Sequence, residues 1–294
     1  MKISVVGDII LDKYVLGDVN RISPEAPVPI LKQNSIFYKL GGAANVAANL
    51  ASLGKSTYLY GIIGKDQEGK YIKNLIKNKK IKFKPKITTL STILKTRYIS
   101  NSSQLLRVDR ESKFSYLNSK ELFKKINKDK SKIIIFSDYN KGTLFFLKDY
   151  MKNKNDKIYL VDPKGVDFTK YKGCFLMTPN FKEISNIIGY NLSKKNFIKE
   201  CQNLRKELNL KYLIVTLGAE GVTMFSSNNS NLNFSTIKTE VTDITGAGDT
   251  FLATLALYLA RGKKINFCVS QAIKAATLSV SKFGTSTINI REIE

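Results

Sequence analysis

The stretch DITGAGDTFLATLALYLA, from Asp243 to Ala260, decides the fold class of this chain. Its turn of Gly246, Ala247 and Gly248 leads into an apolar helix, and small residues there let backbone N–H groups approach a phosphate closely. The helix N-terminus adds about half a positive charge at the same place. Asp249 follows in the first turn, where a carboxylate can accept a hydroxyl proton while the amides stabilise a transferring phosphoryl group. The competing interpretation is an ordinary N-terminal Asp after a glycine turn.

A second glycine-started helix lies near the N-terminus, in GGAANVAANLASLG from Gly41 to Gly54. Asn45 falls in its first turn, and a side-chain amide there can donate and accept hydrogen bonds toward sugar hydroxyls. A purely structural helix start explains the same pattern. The letters GKST at 54–57 look like the end of a P-loop, but the segment leaves a helix and enters a strand. A P-loop requires the reverse order, so we exclude one here.

The rest of the chain alternates between apolar strands and amphipathic helices. Apolar runs predict strands at 3–6, 57–63, 132–137, 157–162, 174–178 and 212–216. Helical periodicity predicts helices at about 118–128, 141–152, 181–188, 194–207, 248–261 and 265–282. This alternation is typical of an α/β fold in which helices cover both faces of a mainly parallel sheet. The segments 221–226 and 232–238 predict an antiparallel hairpin.

Two segments differ from this pattern, at about 13–38 and 92–110. The first contains Pro24, Pro27 and Pro29, half of the six prolines in the chain, among short alternating runs. The second consists of two strand-like runs joined by a polar turn. Prolines and alternation indicate antiparallel strands with exposed edges. We therefore predict a small sheet outside the main fold.

Polar residues after the strands supply further binding candidates, because ligands of open α/β sheets sit beyond the carboxyl ends of the strands. Asp12 is placed to bind vicinal hydroxyls. Asn180 is placed to meet a phosphate, and Glu183 to bind Mg²⁺ through water, since Mg²⁺ keeps several of its waters. A first-turn helix acid is the alternative for Glu183. The Gly-rich turn VTLGAEG adds weaker nucleotide candidates: Thr216, Gly218 and Gly221.

The composition restricts the other function classes. The chain has no histidine, which excludes Ser-His-Asp and Cys-His nucleophile systems and His-ligated metal sites. Three widely spaced cysteines predict buried thiols without a disulfide framework. We see no targeting segment and no long apolar run, and expect a cytoplasmic protein without membrane contact. The net charge of +24 suggests nucleic-acid binding, but the lysines are dispersed over polar helix faces, so we expect no specific nucleic-acid partner.

Taken together, these segments resemble the ribokinase/PfkB family of carbohydrate kinases. GGAANVA and DITGAGDTF carry the resemblance, in the family's order and separation. Other segments make it more specific, pointing to the kinases of ADP-heptose synthesis: VVGDIILDKY, GDVNRISPEAPVPIL, KTRYISNSSQLLRVD, FSDYNKG, LVDPKG and TPNFKE. Those kinases phosphorylate D-glycero-β-D-manno-heptose 7-phosphate at C1 in the route to the lipopolysaccharide core. The resemblance spans about residues 1–290.

The resemblance implies one ribokinase-like domain over 1–294, with the small sheet as a β-lid and a homodimer formed through that lid. It implies ATP and Mg²⁺ as cofactors and a heptose phosphate as substrate. Asp249 would be the base, and Gly246, Ala247 and Gly248 the anion hole. The residues implied at the ATP phosphates and Mg²⁺ are Asn180, Phe181, Lys182 and Glu183. Those implied at the heptose are Asp12, Gly42 and Asn45. For the 7-phosphate, charge and lid position suggest Arg97, Arg107 and Lys164.

Two departures and several alternatives accompany this interpretation. Many relatives have an Asn-Ala-Ala pattern beside the adenine, where this chain has Ile273-Lys274-Ala275-Ala276. Many also carry a nucleotidyltransferase domain, which is not among the segments of the present sequence. We therefore expect other proteins to supply the later phosphatase and nucleotidyltransferase steps. The alternatives are another sugar kinase of this family, acting on ribose or a fructose phosphate, a basic nucleic-acid-binding protein on a kinase fold, and an inactive kinase.

Overall fold

A computed structural model describes residues 1–101, 103–152, 156–189 and 196–294. The strands among these residues are β1 (Ile3–Gly7), β2 (Ile9–Ile22), β3 (Pro29–Gly42), β4 (Thr57–Tyr60), β5 (Ile62–Gly64), β6 (Ile81–Phe83), β7 (Lys86–Thr88), β8 (Ile93–Ser100), β9 (Ser103–Arg110), β10 (Ile133–Ser137), β11 (Ile158–Asp162), β12 (Leu176–Met177), β13 (Tyr212–Thr216), β14 (Val222–Ser226) and β15 (Asn231–Phe234). The helices are α1 (Ala43–Ser52), α2 (Gln67–Lys77), α3 (Tyr116–Ile126), α4 (Leu147–Lys152), α5 (Phe181–Ile188), α6 (Phe197–Glu207), α7 (Ala247–Ala260), α8 (Ile265–Val280) and α9 (Ile290–Ile293).

The main sheet has the strand order β15-β14-β13-β12-β11-β10-β1-β4-β6. The seven strands from β13 to β6 pair in parallel, and β14 and β15 add an antiparallel edge. The predicted α/β class is therefore confirmed, as is the hairpin after β13. Parallel pairing brings the carboxyl ends of β1, β10, β11 and β12 to one edge of the sheet, where binding residues are expected.

Two apolar layers cover the faces of this sheet. Along β10, Ile133 and Ile135 face the layer that contains α1, α7 and α8, whereas Ile134 and Phe136 face the layer that contains α3 to α6. The strand period of two produces this alternation. Helix α7 is apolar on every side because it packs against the sheet, α1 and α8 at once. Even so, none of the helices described is long and apolar enough to cross a bilayer.

A separate four-stranded sheet has the order β3-β2-β8-β9, which confirms the small sheet predicted from 13–38 and 92–110. Its strands are longer than expected, since β2 begins at Ile9 and β3 runs to Gly42. Register divides the sheet into two faces. One face carries the row Phe37, Tyr14, Arg97 and Arg107, and the other carries the row Ile36, Val15, Tyr98 and Leu106.

Several predicted elements have different bounds in the structure, such as the strand predicted at 174–178, which is only Leu176–Met177. The strand predicted at 57–63 divides at Gly61 into β4, which belongs to the main sheet, and β5, which pairs with β7. A Cβ on Gly61 would lie 2.4 Å from the Ile9 side chain. The helix predicted at 141–152 begins only at Leu147, because the preceding residues wrap around a buried carboxylate. The helix predicted at 194–207 begins at Phe197, and positions 194 and 195 lie outside the described residues.

Candidate active site

Asp249 lies in the first turn of α7, and its side chain is buried. The helix is entered through Gly246, whose φ of 83° is one that glycine adopts without strain. A Cβ on Gly246 would lie 2.6 Å from Asn45 Nδ2, whereas a Cβ on Gly248 would meet nothing within 4 Å. The turn is therefore closed toward Asn45 and open at Gly248. That opening leaves room for an anion at the helix N-terminus beside Gly248, while the N–H of Ala247 donates to the carbonyl of Ile244 at 3.3 Å.

Two donors hold the Asp249 carboxylate, one at each oxygen. Asn45 Nδ2 donates to Oδ2 at 2.8 Å, and the Tyr139 hydroxyl donates to Oδ1 at 3.2 Å. Burial raises the pKa of Asp249 from its ordinary 3.8 to about 7, the two hydrogen bonds oppose that rise, and the nearby Asp12 adds to it. A carboxylate with a pKa near neutrality suits general-base chemistry at physiological pH.

The position of Tyr139 depends on Asp8, a fully buried residue at the end of β1. The Asp8 carboxylate accepts hydrogen bonds from the backbone N–H groups of Tyr139, Lys141 and Thr143, at 2.8, 3.1 and 3.1 Å. These bonds fold the segment after β10 around Asp8, which turns Tyr139 toward Asp249. The sequence analysis missed both residues. The strand-end rule that identified Asp12 could have found Tyr139, which also follows a central parallel strand.

The polar face of the small sheet approaches Asp249 from the other side. Asp12 and Arg97 are both buried there and form an ion pair of 2.5 Å between Oδ1 and Nη1, with the guanidinium 5.3 Å from the centre of the Tyr14 ring. Burial raises the pKa of Asp12, and Arg97 opposes that rise. Arg107 lies opposite Arg97 in the register and pairs with Asp109 at 3.0 Å. The structure thus places Asp12, Arg97 and Arg107 on one surface.

A cavity of about 220 Å³ opens at the carboxyl ends of β10 to β13. It is lined by Asp138, Tyr139, Asp162, Pro163, Lys164, Thr178, Asn180, Glu183, Thr216, Gly248 and Phe251. Five predicted residues therefore meet in one place: Lys164, Asn180, Glu183, Thr216 and Gly248. Gly248 lines the cavity, so a molecule bound in the cavity would lie directly beside the first turn of α7.

Glu183 has two interactions in this cavity. Its Oε2 accepts from the N–H of Asn180 while Asn180 Oδ1 accepts from the N–H of Glu183, both at 2.9 Å, which is a capping box for α5. Its Oε1 pairs with Lys164 Nζ at 2.7 Å. The capping interpretation of Glu183 is thus realised in the structure, while one carboxylate oxygen still faces a cation. Lys164 lies beside Glu183 and has no contact with Arg97 or Arg107 among the interactions of the described residues.

The donor set of the cavity fits Mg²⁺ bound to phosphates and water. Burial raises the pKa of Asp162 well above its usual value, and the neighbouring charges of Asp249 and Glu183 raise it further. Asp138 is already paired with Lys170 at 2.6 Å. Within the described parts of the chain, no three carboxylates come close enough to hold a metal by themselves. Mg²⁺ commonly takes one or two carboxylates and completes its shell with water and phosphate oxygens, which this arrangement allows.

Other predicted residues lie outside the cavity. Phe181 is 45% exposed and packs beside Phe197, and Lys182 is also exposed. Gly221 is required by packing, because a Cβ there would lie 2.0 Å from the carbonyl oxygen of Phe234. Ile273 is buried in the core, and Lys274 donates to the carbonyl of Ile293. The departure at 273–274 therefore serves packing of α8 against the C-terminal helix.

A model of the pfkB family carbohydrate kinases matches residues 2–292. The chain belongs to this family. The family's curated members include the "Bifunctional protein HldE" of Blochmanniella pennsylvanica (strain BPEN), 38% identical over 295 residues, which cover 99% of this chain and 62% of that protein. The protein of the same name from Haemophilus influenzae (strain PittEE) is 39% identical over 301 residues, covering 100% and 63%. The chain thus spans less than two thirds of these relatives.

Solved structures of the family share the fold. Phosphofructokinase-2 from Escherichia coli, in complex with substrates and products, superposes with a TM-score of 0.85 at 19% identity, over 99% of this chain and 96% of that one. Ribokinase from Thermotoga maritima superposes with a TM-score of 0.80 at 25% identity, over 100% and 98%. The ribokinase-like architecture expected from the sequence is confirmed.

The titration of Asp249 can be measured without any ligand. We expect its carboxyl to titrate near pH 7, and Tyr139→Phe to raise the midpoint further by about half to one pH unit, because one donor to the charged form is lost. Carbon-13 NMR of labelled aspartate carboxyls would follow the titration, with the signal assigned by its absence from Asp249→Asn. Tyr171→Phe is the matched control, since that hydroxyl donates to Asp138. An equal midpoint in Tyr139→Phe and wild type would contradict the role of Tyr139.

Proposed function

We propose that this chain transfers the γ-phosphoryl group of ATP to the C1 hydroxyl of D-glycero-β-D-manno-heptose 7-phosphate, with Mg²⁺, in the route to ADP-heptose and the lipopolysaccharide core. The observation that carries the proposal is the position of Asp249, buried between the cavity at Gly248 and the polar face of the small sheet. The heptose phosphate is supported by the end-to-end sequence resemblance and by the whole-chain similarity to the HldE proteins.

In the proposed reaction, Asp249 accepts the proton of the C1 hydroxyl while that oxygen bonds to the γ-phosphorus and the bond to ADP breaks. The amides of Gly246, Ala247 and Gly248 stabilise the transferring group at the N-terminus of α7. Asn180, Glu183 and Thr216 are assigned to the nucleotide phosphates. Bound Mg²⁺ would offset the phosphate charge, and Glu183 would hold it through water.

The acceptor would lie against the small sheet. We assign Asp12, Gly42 and the remaining N–H of Asn45 to its hydroxyls, and Arg97 with Arg107 to its 7-phosphate. Arg97 is preorganised for this role by its ion pair with Asp12 and by the Tyr14 ring. Lys164, which charge alone suggested for the same phosphate, pairs with Glu183 instead, so we assign it to the phosphoryl group in transfer.

The small sheet would serve as lid and as dimer interface in a single kinase unit over 1–294, in the cytoplasm. Its outer row is apolar, with Ile36 39% exposed and Leu106 55% exposed, and β9 forms an edge of the sheet. An exposed apolar row beside an unpaired edge favours association with a second copy. The other face, whose row of Phe37, Tyr14, Arg97 and Arg107 we call the polar row, is the one that we assign to the sugar phosphate.

Release of ADP tests the function. With ATP and Mg²⁺, we expect selective turnover of D-glycero-D-manno-heptose 7-phosphate over ribose, fructose 6-phosphate and fructose 1-phosphate. Arg97 and Arg107 favour a sugar phosphate over ribose, and the similarity to the HldE proteins favours the heptose over the fructose phosphates. A coupled assay would give kcat/KM for each acceptor. Preference for another sugar would leave the family chemistry in place and remove the heptose from the proposal.

Asp249→Asn tests the base. The substitution keeps the shape but cannot accept a proton, so we expect kcat to fall by about a hundredfold to ten-thousandfold. Calorimetric binding of a non-hydrolysable ATP analogue should stay close to the wild type, since the carboxylate contacts the acceptor hydroxyl. Turnover within a few-fold of the wild type would remove Asp249 from the base role.

Glu183→Gln separates metal binding from helix capping. We expect the Mg²⁺ concentration at half-maximal rate to rise by about tenfold, because the side chain loses its charge but can still cap α5. Glu292→Gln is the matched control, since Glu292 forms the same capping box with Asn289 at the remote helix α9. If both variants have the wild-type Mg²⁺ dependence, Glu183 acts only as a cap.

A further inference from the structure

Two buried polar residues that the proposed mechanism does not use connect α1 to α7. Asn49 and Thr250 have no exposed surface. The Thr250 hydroxyl donates to Asn49 Oδ1 at 3.2 Å, and Asn49 Nδ2 donates to the backbone oxygen of Asn45 at 3.1 Å and to its Oδ1 at 3.3 Å. The Asn45 amide nitrogen then donates to Asp249. The contacts form a continuous path from Thr250 back to its neighbour Asp249.

The backbone carbonyl of Asn45 determines which atom donates and which accepts in every hydrogen bond of this path. The backbone carbonyl of Asn45 can only accept, so Asn49 must present its NH₂ to it. The second hydrogen of that NH₂ faces the side chain of Asn45, which therefore presents its oxygen. Only the nitrogen of Asn45 is left to face Asp249. Thr250 completes the arrangement, because its hydroxyl satisfies the otherwise buried oxygen of Asn49.

This fixed direction matters when Asp249 takes up a proton. A protonated carboxyl is a donor, and an unrestrained asparagine could turn its oxygen toward it and stabilise the acid. Turning Asn45 here would place its nitrogen against the NH₂ of Asn49, in a buried region where unpaired groups are costly. The restrained amide therefore favours only the charged form of Asp249.

We propose that Asn49 and Thr250 are positioning residues that hold the Asn45 amide as a permanent donor to Asp249, and so maintain Asp249 as a proton acceptor. This inference rests on the proposed role of Asp249 as base. Neither residue touches the cavity or the polar row of the small sheet, so both act through Asn45.

Other titratable groups also face Asp249 and stay in place in the experiment. They are Tyr139 after β10, Asp162 at the end of β11, and Asp12 on the small sheet. Helix α1 has no titratable side chain, and Lys274 on α8 is engaged by the Ile293 carbonyl. A change confined to Asn49 therefore leaves the neighbouring charges unaltered.

The test is the carboxyl titration of Asp249 by carbon-13 NMR in the full, ligand-free chain. In Asn49→Leu, which keeps the branching at Cγ and removes all three hydrogen bonds of the Asn49 side chain, we expect the midpoint to rise by about half to one pH unit. In an Asn45→Ala background the same substitution should cause no rise, since the amide through which it acts is gone. A general loosening of the helix pair would shift the midpoint in both backgrounds, and that result would overturn the proposal.

A matched pair of threonine variants gives a second measurement if Asn49→Leu folds poorly. Thr250 and Thr254 lie one turn apart on α7 and are both fully buried, but the Thr254 hydroxyl has no partner among the described residues. We expect Thr250→Val to raise the Asp249 midpoint, and Thr250→Ser and Thr254→Val to leave it unchanged. Equal midpoints in Thr250→Val and Thr254→Val would overturn the role of Thr250.

Kinetics provide a readout that depends on turnover. For Asn49→Leu, kcat/KM should fall by about threefold to tenfold at pH 6.5 and by less than about twofold at pH 8.5, because only the fraction of charged Asp249 changes. An equal fall at both pH values would contradict the inference. If the wild type turns over no sugar, the proposed function fails, while the ligand-free titration still decides the role of Asn49.

Discussion

The hydrogen bond from Asn45 to Asp249 joins residues 204 positions apart, and the arrangement of the site depends on it. Helices α1 and α7 pack against each other, and Asn45 and Asn49 lie one turn apart on the side of α1 that meets α7. A buried carboxylate is costly unless it is hydrogen-bonded. The packing of α1 against α7 therefore has two effects on Asp249. It buries the carboxylate, which raises its pKa, and it supplies the Asn45 donor that offsets the cost of burial. The contact between α1 and α7 thus contributes to the core and also sets the proton affinity of Asp249.

A concentration of acids at the carboxyl edge of the sheet is the second constraint. In a chain of net charge +24, Asp138, Asp162 and Glu183 line one cavity, and Asp249 follows Gly248 at its wall. Lys170 and Lys164 offset only part of that charge, through Asp138 and Glu183. Burial raises the pKa of Asp162, and the negative charges of Asp249 and Glu183 raise it further. A divalent cation accompanied by phosphates would relieve it, and the basic remainder of the surface would attract anionic substrates.

The sequence predicted this site unevenly, for physical reasons. The glycine turn before Asp249, the strand end at Asn180 and the small sheet all follow local rules of backbone geometry and periodicity, and the structure contains each of them. Asp12, expected beyond the end of the first strand, lies inside β2. Asn49 follows no such rule, and for Asp8 the strand-end rule gives the position but not the contacts. Their importance comes from a loop that folds back onto β1 and from two helices that meet far apart in sequence. Charge and lid position grouped Lys164 with the two arginines, whereas its ion pair is with Glu183, because charge does not specify which strand end a lysine faces.

The contacts between the small sheet and the glycine turn explain why acceptor and phosphate binding share one end of the fold. Lys39 on β3 donates to the carbonyl of Phe283 at 2.6 Å. The next residue, Gly284, donates to Asp243, whose other oxygen accepts from Thr245 at the start of the glycine turn. A displacement of β3 would therefore strain the hydrogen bonds that link Lys39, through 283–284 and Asp243, to the glycine turn before Asp249. The polar row that would hold the sugar and the turn that would hold the phosphoryl group therefore rest on a common support, which keeps the two reacting groups in register.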